Sequence, residues 1–399
     1  MQVRKTYILT INGGSSSLKF SLFNPVSNEI EWNGSVNSAE SHILEIIDSD
    51  HKRHIFKNSF TSATDEDFAA KTIIEWLESD DQPFTVIAIG HRVVQGGPDH
   101  RQPELLTDSL LKALNQFAYL APNHLPEQIK LIGIFTEAFP DIPQVACFDT
   151  SFHRDMPVYA KYYPLPAQYR DKGVIRYGFH GLSYEYIMEK LAQQTELLSK
   201  QKIIIAHLGS GASMVAVKNG KSVDTTMGLS PIGGLVMGTR SGDLDPGVLL
   251  YLLKEEKMSV DELDELLSKH AGLMAIAGIS DVKELLKNET GYPGVELALT
   301  IFCYQAKKFI GALAAAMGGL DMLVFTGGIG ENSAIIRERI CSGLDFMGIT
   351  INKSSNNNGH EIISSTANWV KVSVMKTNEE WAIAKHTQEI INLKNKVKL

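Results

Sequence analysis

Apolar residues open this chain as a block and then alternate. Residues 7–11 form a short, mostly apolar run that stops at Asn12 and a block of small residues, Gly13, Gly14, Ser15, Ser16 and Ser17. Beyond it Leu18, Phe20 and Leu22 are apolar at every second position. This pattern predicts a β-hairpin whose turn carries only small residues, with one amide and one lysine, Lys19, beside it. Small residues let backbone N–H groups approach a ligand closely, and with hydroxyls and an ammonium they make an anion cradle. The same order of apolar strand, small-residue turn and alternating strand recurs over residues 203–217. Laying Gly13 on Gly209 brings Ser17 onto Ser213. A single turn of this kind is an ordinary hairpin; two in register predict a duplicated scaffold with two phosphate-facing hairpins.

The rest of the pattern mixes strands with helices. A strand is expected over 30–36, then a polar stretch, then a helix over 65–77 capped by Thr64 or Asp65. A buried strand over 85–89 ends at Gly90-His-Arg-Val-Val-Gln-Gly-Gly97. Helices over 108–119 and 126–139 lead to a strand over 144–148. The second half opens with irregular, Pro- and Tyr-rich chain over 156–169 and a helix from Leu182. Strands follow near Lys202 and Met214, then helices over 246–254, 260–270 and 295–318. A strand over 322–325 stops at Thr326-Gly-Gly-Ile-Gly-Glu-Asn332, and a helix follows over 333–344. The polar patch 354–359 reads as a solvated loop. The fold class is α/β with a central sheet.

Composition narrows the picture. A chain of 399 residues suits two domains with a cleft between them. Hydrophobic residues at 44% and charged residues at 21% describe an ordinary globular protein. A formal charge of −8 argues against a general binder of nucleic acid or anionic membrane. Cys147, Cys303 and Cys341 are too few and too dispersed for a disulfide framework or zinc site, and read as buried thiols in a reducing compartment. The N-terminus enters its first strand without room for a secretory h-region. The apolar segment 309–317 is short and preceded by Lys307 and Lys308, so no run is expected to approach membrane-spanning length. The expected location is cytoplasmic.

Ligands of open α/β sheets gather where strands end in polar turns. Gly327-Gly-Ile-Gly-Glu-Asn332, between a strand and a helix, offers helix-terminal N–H groups to a nucleotide. It is neither a P-loop, lacking the Gly-Lys-Ser/Thr ending, nor a spaced G-x-G-x-x-G fingerprint.

Six segments then resemble one family in its own order. They are Asn12-Gly-Gly-Ser-Ser-Ser-Leu-Lys19, Gly90-His-Arg-Val-Val94, Phe148-Asp-Thr-Ser-Phe-His153, Arg176-Tyr-Gly-Phe-His-Gly181, Met237-Gly-Thr-Arg-Ser-Gly-Asp-Leu-Asp-Pro246 and Phe325-Thr-Gly-Gly-Ile-Gly-Glu-Asn-Ser333. Together they resemble the acetate kinase family, the acetokinases, from Tyr7 to about Ile391. The resemblance implies duplicated actin-like ATPase (ribonuclease H-like) domains with an interdomain active-site cleft. The first would span 1–150, joined by the C-terminal helix from about 386 to 399. The second, 151–385, would hold the nucleotide site and a dimer interface. It further implies a homodimer and Mg2+-dependent phosphoryl exchange, with Mn2+ as a substitute, between ATP and acetate to give ADP and acetyl phosphate.

The residue types suit that chemistry. A carboxylate attacking a γ-phosphoryl group brings two anions together, so the site needs fixed positive charge and donors more than a base. By resemblance Arg92 and Arg240, both in Gly-flanked loops, clamp acetate and the transferring phosphoryl group; the planar fork of arginine suits both. His180 is implied as a transition-state donor, His124 as a second active-site histidine, and His153 as support. Asp149 matches the catalytic carboxylate and is expected to position Mg2+ through water or to orient the arginines, since the acid is already ionised near neutral pH. Asn12 and Glu379 match magnesium positions. The acyl pocket is implied to be lined by Val94, Asn123, Phe179 and Pro231. The nucleotide is implied to meet Lys19, His207, Leu208, Gly209, Ser210, Gly211, Asp281, Val282, Lys283, Gly328, Ile329, Gly330, Glu331 and Asn332.

Three positions depart from the family pattern. Asn123-His124-Leu125 stands where Leu-His-Asn is usual, placing an amide in the acyl wall. Selectivity between acetate and propionate is thereby open, as one methylene in an apolar pocket is worth about 1–3 kcal/mol. Ser210 replaces an asparagine and shortens the reach to phosphate. Lys283 replaces an arginine near adenine, and the two are not equivalent where stacking matters. The rival activities are a propionate or other short-chain acyl kinase and, from another class, an actin-like assembly ATPase.

Overall fold

In a computed structural model of the chain, residues 4–13, 17–37, 43–57, 67–79, 82–194, 200–366 and 368–397 are described. They fall into two units, residues up to Ser151 together with those from Asn378 onward, and Phe152–Thr377. The return to the first unit comes at Asn378, ahead of the expected 386, so Glu379 belongs to the first unit.

Strand β1 (Lys5–Gly13) is buried from Tyr7 to Asn12 because it is covered on both faces. Tyr7, Leu9 and Ile11 point into a core with Ile73, Trp76 and Phe135. Ile8 points the other way, to Phe23, Ala88 and Ala384 of the C-terminal helix Glu379–Val397. The antiparallel strands β2 (Ser17–Phe23), β3 (Ile30–Asn37), β4 (Ile43–Asp48) and β5 (Arg53–Lys57) extend the sheet on one side. On the other side β6 (Phe84–Val93) and β8 (Gln144–Phe148) run parallel to β1, with β7 (Glu104–Leu105) at the edge. Gly90 admits the C-terminal helix: a Cβ there would lie 2.2 Å from Thr387 Oγ1 and 2.6 Å from Ile383 Cγ2.

The second unit repeats the inner part of this sheet. Strands β9 (Lys202–Leu208), β10 (Ala212–Lys218), β11 (Lys221–Thr225), β12 (Met322–Thr326) and β13 (Lys371–Val374) lie in the order β11-β10-β9-β12-β13. This matches β3-β2-β1-β6-β8 strand for strand, antiparallel and parallel pairings included. The duplication therefore holds, but the register read from sequence does not. Gly13 is the last paired residue of β1, opposite Leu18, whereas Leu208 opposite Ala212 closes the second hairpin, whose turn is one residue shorter. Asn12↔Lys19 and His207↔Ser213 are the equivalent pairs.

Several local readings also change. Residues 43–57, read as a polar stretch, supply β4 and β5, and residues 371–374 supply β13. The first helix is Phe68–Glu78; the expected caps Thr64 and Asp65 lie outside the described residues, as do Gly14, Ser15 and Ser16 of the hairpin turn. Residues 354–359 are mostly exposed, as expected, but are not simply a loop. Helix Lys353–Asn357 buries Asn356, whose Oδ1 accepts from the fully buried Arg337 at 2.8 Å. Helix Pro293–Met317 is long and apolar enough to cross a membrane by length and composition, against expectation. Its apolar face is used inside the second unit, where Ala298, Phe302, Ile310 and Leu313 are buried and the helix packs on β9, β10 and β11.

Candidate active site

In the first unit, Arg92 sits on strand β6, not in a loop as expected, because residues 90–93 pair in parallel with β8, and Gly90 and His91 pair with β1 as well. Asp149 follows β8, is 1% exposed, and accepts through one oxygen from Arg92 Nε at 3.0 Å and Nη2 at 2.6 Å. Arg92 Nη1 donates to Asn12 Oδ1 at 3.1 Å and lies 3.4 Å from Glu379 Oε2. Asn12 Nδ2 in turn lies 3.2 Å from both Glu379 Oε2 and Glu380 Oε1. Burial alone would favour loss of the Arg92 proton; attraction to Asp149, Glu379 and Glu380 overcomes it and raises the pKa. The structure thus gathers Asn12, Arg92, Asp149 and Glu379, and adds Glu380, which sequence reasoning passed over beside its neighbour.

Val94 is buried, and its N–H donates to Gln128 Oε1 at 2.8 Å, tying the end of β6 to the helix Leu125–Ala138. Asn123 and His124 are half-buried just ahead of that helix. Lys19 is exposed on β2, opposite Asn12. His91, beside Arg92, donates through Nε2 to Gln144 Oε1 at 2.7 Å, and burial pushes it down to about 4.

In the second unit the motif around His180 is a backbone device. Arg176 Nη1 donates to the carbonyls of Thr225, Thr226 and Met227, fixing the approach to the motif. His153 Nε2 donates to the Phe179 carbonyl at 3.1 Å, and its Nδ1 meets Ser222 Oγ at 2.9 Å. A carbonyl can only accept, so this imidazole is held with its proton on Nε2, and burial lowers its pKa to about 4. His180 itself adopts φ 59°, a left-handed conformation uncommon outside glycine, and such strain gathers at functional sites. Its Nδ1 lies 2.8 Å from Ser213 Oγ, and its ring stacks on His207 with centroids 4.3 Å apart.

Gly211 locates the partners of His180. A Cβ built there would lie 3.2 Å from His180 Nε2 and 3.6 Å from Arg240 Nη1. Arg240 Nη1 also donates to the Pro231 carbonyl at 3.3 Å and to Met237 Sδ at 3.7 Å. Phe179 is fully buried beside them in the motif. His207, Leu208, Gly209, Ser210 and Gly211 end β9 and form the turn, with Ser210 exposed.

The residues expected at the nucleotide approach this turn. Gly328 N is 3.9 Å from a Cβ built on Gly209, and Gly327, at φ 78°, leaves no room for a side chain against Leu208. Gly328, Ile329, Gly330, Glu331 and Asn332 belong to a short helix, Gly327–Asn332, not a turn. Its first donor is already used: Glu331 Oε1 accepts from Gly327 N at 2.9 Å and Thr377 N at 3.0 Å. Asn332 Nδ2 donates to the Gly328 carbonyl at 2.9 Å. Asp281 caps helix Val282–Lys287 by accepting from Glu284 N, Val282 is buried, and Lys283 is exposed. Sequence reasoning did not see these structural duties, nor Ser183, Tyr184 and Thr377 around the histidines, because each partner is distant along the chain.

Comparison with known proteins identifies the family of the chain. The model of the acetokinase family matches residues 7–385. An acetate kinase of Thermoanaerobacterium thermosaccharolyticum is 43% identical, over 96% of this chain and 98% of its own. Among solved structures, Porphyromonas gingivalis acetate kinase superposes with a TM-score of 0.85 at 34% identity, covering 97% of this chain and 100% of its own. A propionate kinase of Francisella tularensis superposes with a TM-score of 0.89 at 35% identity, covering 96% and 100%. The expected α/β fold with a duplicated sheet is thereby borne out, and these two kinases share it over almost the whole chain. By the extent of the family match and the identity to these relatives, the chain belongs to the acetokinase family.

Proposed function

We propose that this chain catalyses reversible, direct in-line transfer of a phosphoryl group from MgATP to acetate, forming acetyl phosphate and ADP. The observation that carries the reading is the convergence of His180 Nε2 and Arg240 Nη1 on Gly211, in the small-residue turn of the β9–β10 hairpin. A donor and a fixed cation there meet what an anionic phosphoryl transition state needs. One acetate oxygen attacks the γ-phosphorus, the bond to the β–γ bridging oxygen breaks, and its electron pair leaves with ADP. No base is required, because acetate is ionised near neutral pH, and Asp149 is already engaged in orienting Arg92. Arg92 binds the carboxylate, while Arg240 and His180 donate to the equatorial phosphoryl oxygens.

The residues around Arg92 suit a hard divalent cation. Three carboxylates (Asp149, Glu379, Glu380) and the Asn12 amide oxygen face one guanidinium, an anionic and all-oxygen donor set. Among the described residues no three His, Cys, Asp or Glu side chains converge as a metal cage. Magnesium does not need one, since it keeps several waters and takes one or two carboxylates. Asn12 and Glu379 would hold Mg2+, or Mn2+ in its place, and the ion when bound neutralises charge on the nucleotide phosphates.

A homodimer is supported by large apolar side chains exposed on the second unit, among them Tyr159 at 86%, Val260 at 73% and Leu165 at 56%; sedimentation at micromolar protein checks it. Three free, buried cysteines support a reducing, cytoplasmic location, checked by cell fractionation.

The test is recombinant protein with MgATP, hydroxylamine and, in turn, acetate, propionate and butyrate. Hydroxamate should form with the highest kcat/KM for acetate. The similar propionate kinase and the amide of Asn123 make the acid series worth running in full; a preference for propionate would select that activity. Hydroxamate from none of the three would remove the kinase assignment, and carboxylate-independent ATP turnover with polymer formation would favour an assembly ATPase.

A further inference from the structure

His180 and His207 are stacked, and each hangs by Nδ1 from a serine hydroxyl that has a second hydroxyl behind it. His180 Nδ1 meets Ser213 Oγ, which bonds Tyr184 Oη. His207 Nδ1 meets Ser183 Oγ at 2.8 Å, and Thr377 Oγ1 donates to Ser183 Oγ at 2.7 Å. The two systems interlock: Ser183 and Tyr184 are neighbours in the first turn of helix Gly181–Gln194, and Ser213 is the cross-strand partner of His207. Ser213, Tyr184 and Ser183 are fully buried, so bulk water does not compete for these bonds.

The chemistry gives the two chains a direction. A phenol is more acidic than an aliphatic alcohol, hence the better donor and poorer acceptor. Tyr184 therefore donates to Ser213, whose own proton goes to His180 Nδ1. Thr377 donates to Ser183, whose proton goes to His207 Nδ1. An imidazole whose Nδ1 lone pair is so engaged carries its proton on Nε2. Both Nε2 atoms border the 209–211 turn: a Cβ on Gly211 would lie 3.2 Å from that of His180, and one on Gly209 3.7 Å from that of His207. Left alone beside the Arg240 cation, His180 would turn a bare lone pair towards it. The hydroxyl relay opposes that preference.

We propose that Ser213 with Tyr184, and Ser183 with Thr377, are positioning residues that fix His180 and His207 as neutral imidazoles with the proton on Nε2, a pair of preset donors for phosphate oxygens. The role of the donors rests on the phosphoryl-transfer reading; the tautomers do not. The experiment is side-chain 15N NMR of histidine-labelled enzyme without substrate at pH 7, with signals assigned by their loss in His180→Asn and His207→Asn. Both rings should be neutral and protonated at Nε2. Ser213→Ala and the shape-preserving Tyr184→Phe should shift only His180 towards the other tautomer, and Ser183→Ala only His207. With acetate and MgATP, Ser213→Ala should lower kcat by about 10- to 100-fold while each KM changes less than about 3-fold. Nδ1–H or doubly protonated rings in the wild-type spectrum, or tautomers unmoved by all three substitutions, would overturn the proposal. Preset Nε2 donors in a protein that forms no acyl phosphate would instead overturn the proposed function alone.

Discussion

In the first unit the hairpin of β1 and β2 ends beside a guanidinium clamped by carboxylates; in the second, the equivalent hairpin ends beside two imidazoles hung from hydroxyls. The strand plan is the same, yet Asn12 occupies the position that His207 takes in the other copy. One copy therefore relies on balanced charge and the other on oriented neutral donors. Balanced charge in a desolvated place binds function to stability, because removing one partner strands the other. Oriented donors need not. Arg92→Ala is the sharpest way to break the comparison. It should lower kcat by about 10³-fold or more and destabilise the protein by about 3–5 kcal/mol as buried Asp149 loses its counter-charge. Hydroxamate kinetics and urea unfolding measure the two effects, and an unchanged unfolding midpoint would remove the claimed coupling.

Arg240→Ala is the counterpart. It is half-buried and donates to the Pro231 carbonyl and the Met237 sulfur, both neutral acceptors, whereas Arg92 is clamped by the carboxylate of Asp149. The expected loss in kcat is about 10²- to 10³-fold, with stability within about 1 kcal/mol of the parent. In both variants nucleotide affinity, followed by fluorescent ATP displacement, should fall far less than turnover; equal losses would place these arginines on the nucleotide instead.

The same contrast explains what was legible in the chain. Arg92, Asp149, His180 and Arg240 stood out because their motifs are local and resemble those of the acetokinases, and their residue types then suit phosphoryl transfer. The setting of Arg92 did not, because glycines flanking residues 90–97 suggested a loop, while the pairings that make Gly90–Val93 a strand lie with β1 and β8. The hydroxyls behind the histidines were invisible for a related reason: Thr377 meets a residue 194 positions away. Asn356 shows the limit of polarity as a guide. A run of asparagines and serines reads as solvated until Arg337, 19 positions earlier, is found buried against it. Periodicity recovered most helices and the inner strands, since burial of one face is written locally. It missed β4, β5, β7, β11 and β13, whose patterns are short.

Acid should test both units together. His91 in the first and His153 in the second are buried and neutral, each pushed from 6.5 to about 4 by desolvation. Between those values the unfolded chain binds a proton at each histidine that the folded chain refuses. Their contribution is thus intact above about pH 7, is lost as pH falls from 6.5 towards 4, and changes no further below that. Each should account for on the order of 3 kcal/mol over that interval. Unfolding free energies at pH 7 and pH 4.5 for the parent, His91→Gln and His153→Gln check the sign. If neither substitution flattens the dependence, these histidines do not carry it.

The smallest effect expected is also the one that decides the acid. Asn123 is half-buried ahead of the helix whose Gln128 fixes Val94, so an amide and an apolar side chain belong to one stretch of the first unit. If the amide faces the acyl group, an extra methylene must displace water from it and gains little from burial. Asn123→Leu replaces that contact with an apolar one of similar size. It should raise kcat/KM for propionate relative to acetate by up to about 10-fold, the worth of roughly one buried methylene, and leave ATP binding untouched. An unchanged ratio would mean that Asn123 faces away from the acyl group. The Asn123-His124-Leu125 inversion would then be neutral for substrate choice, and specificity would have to be set by other residues.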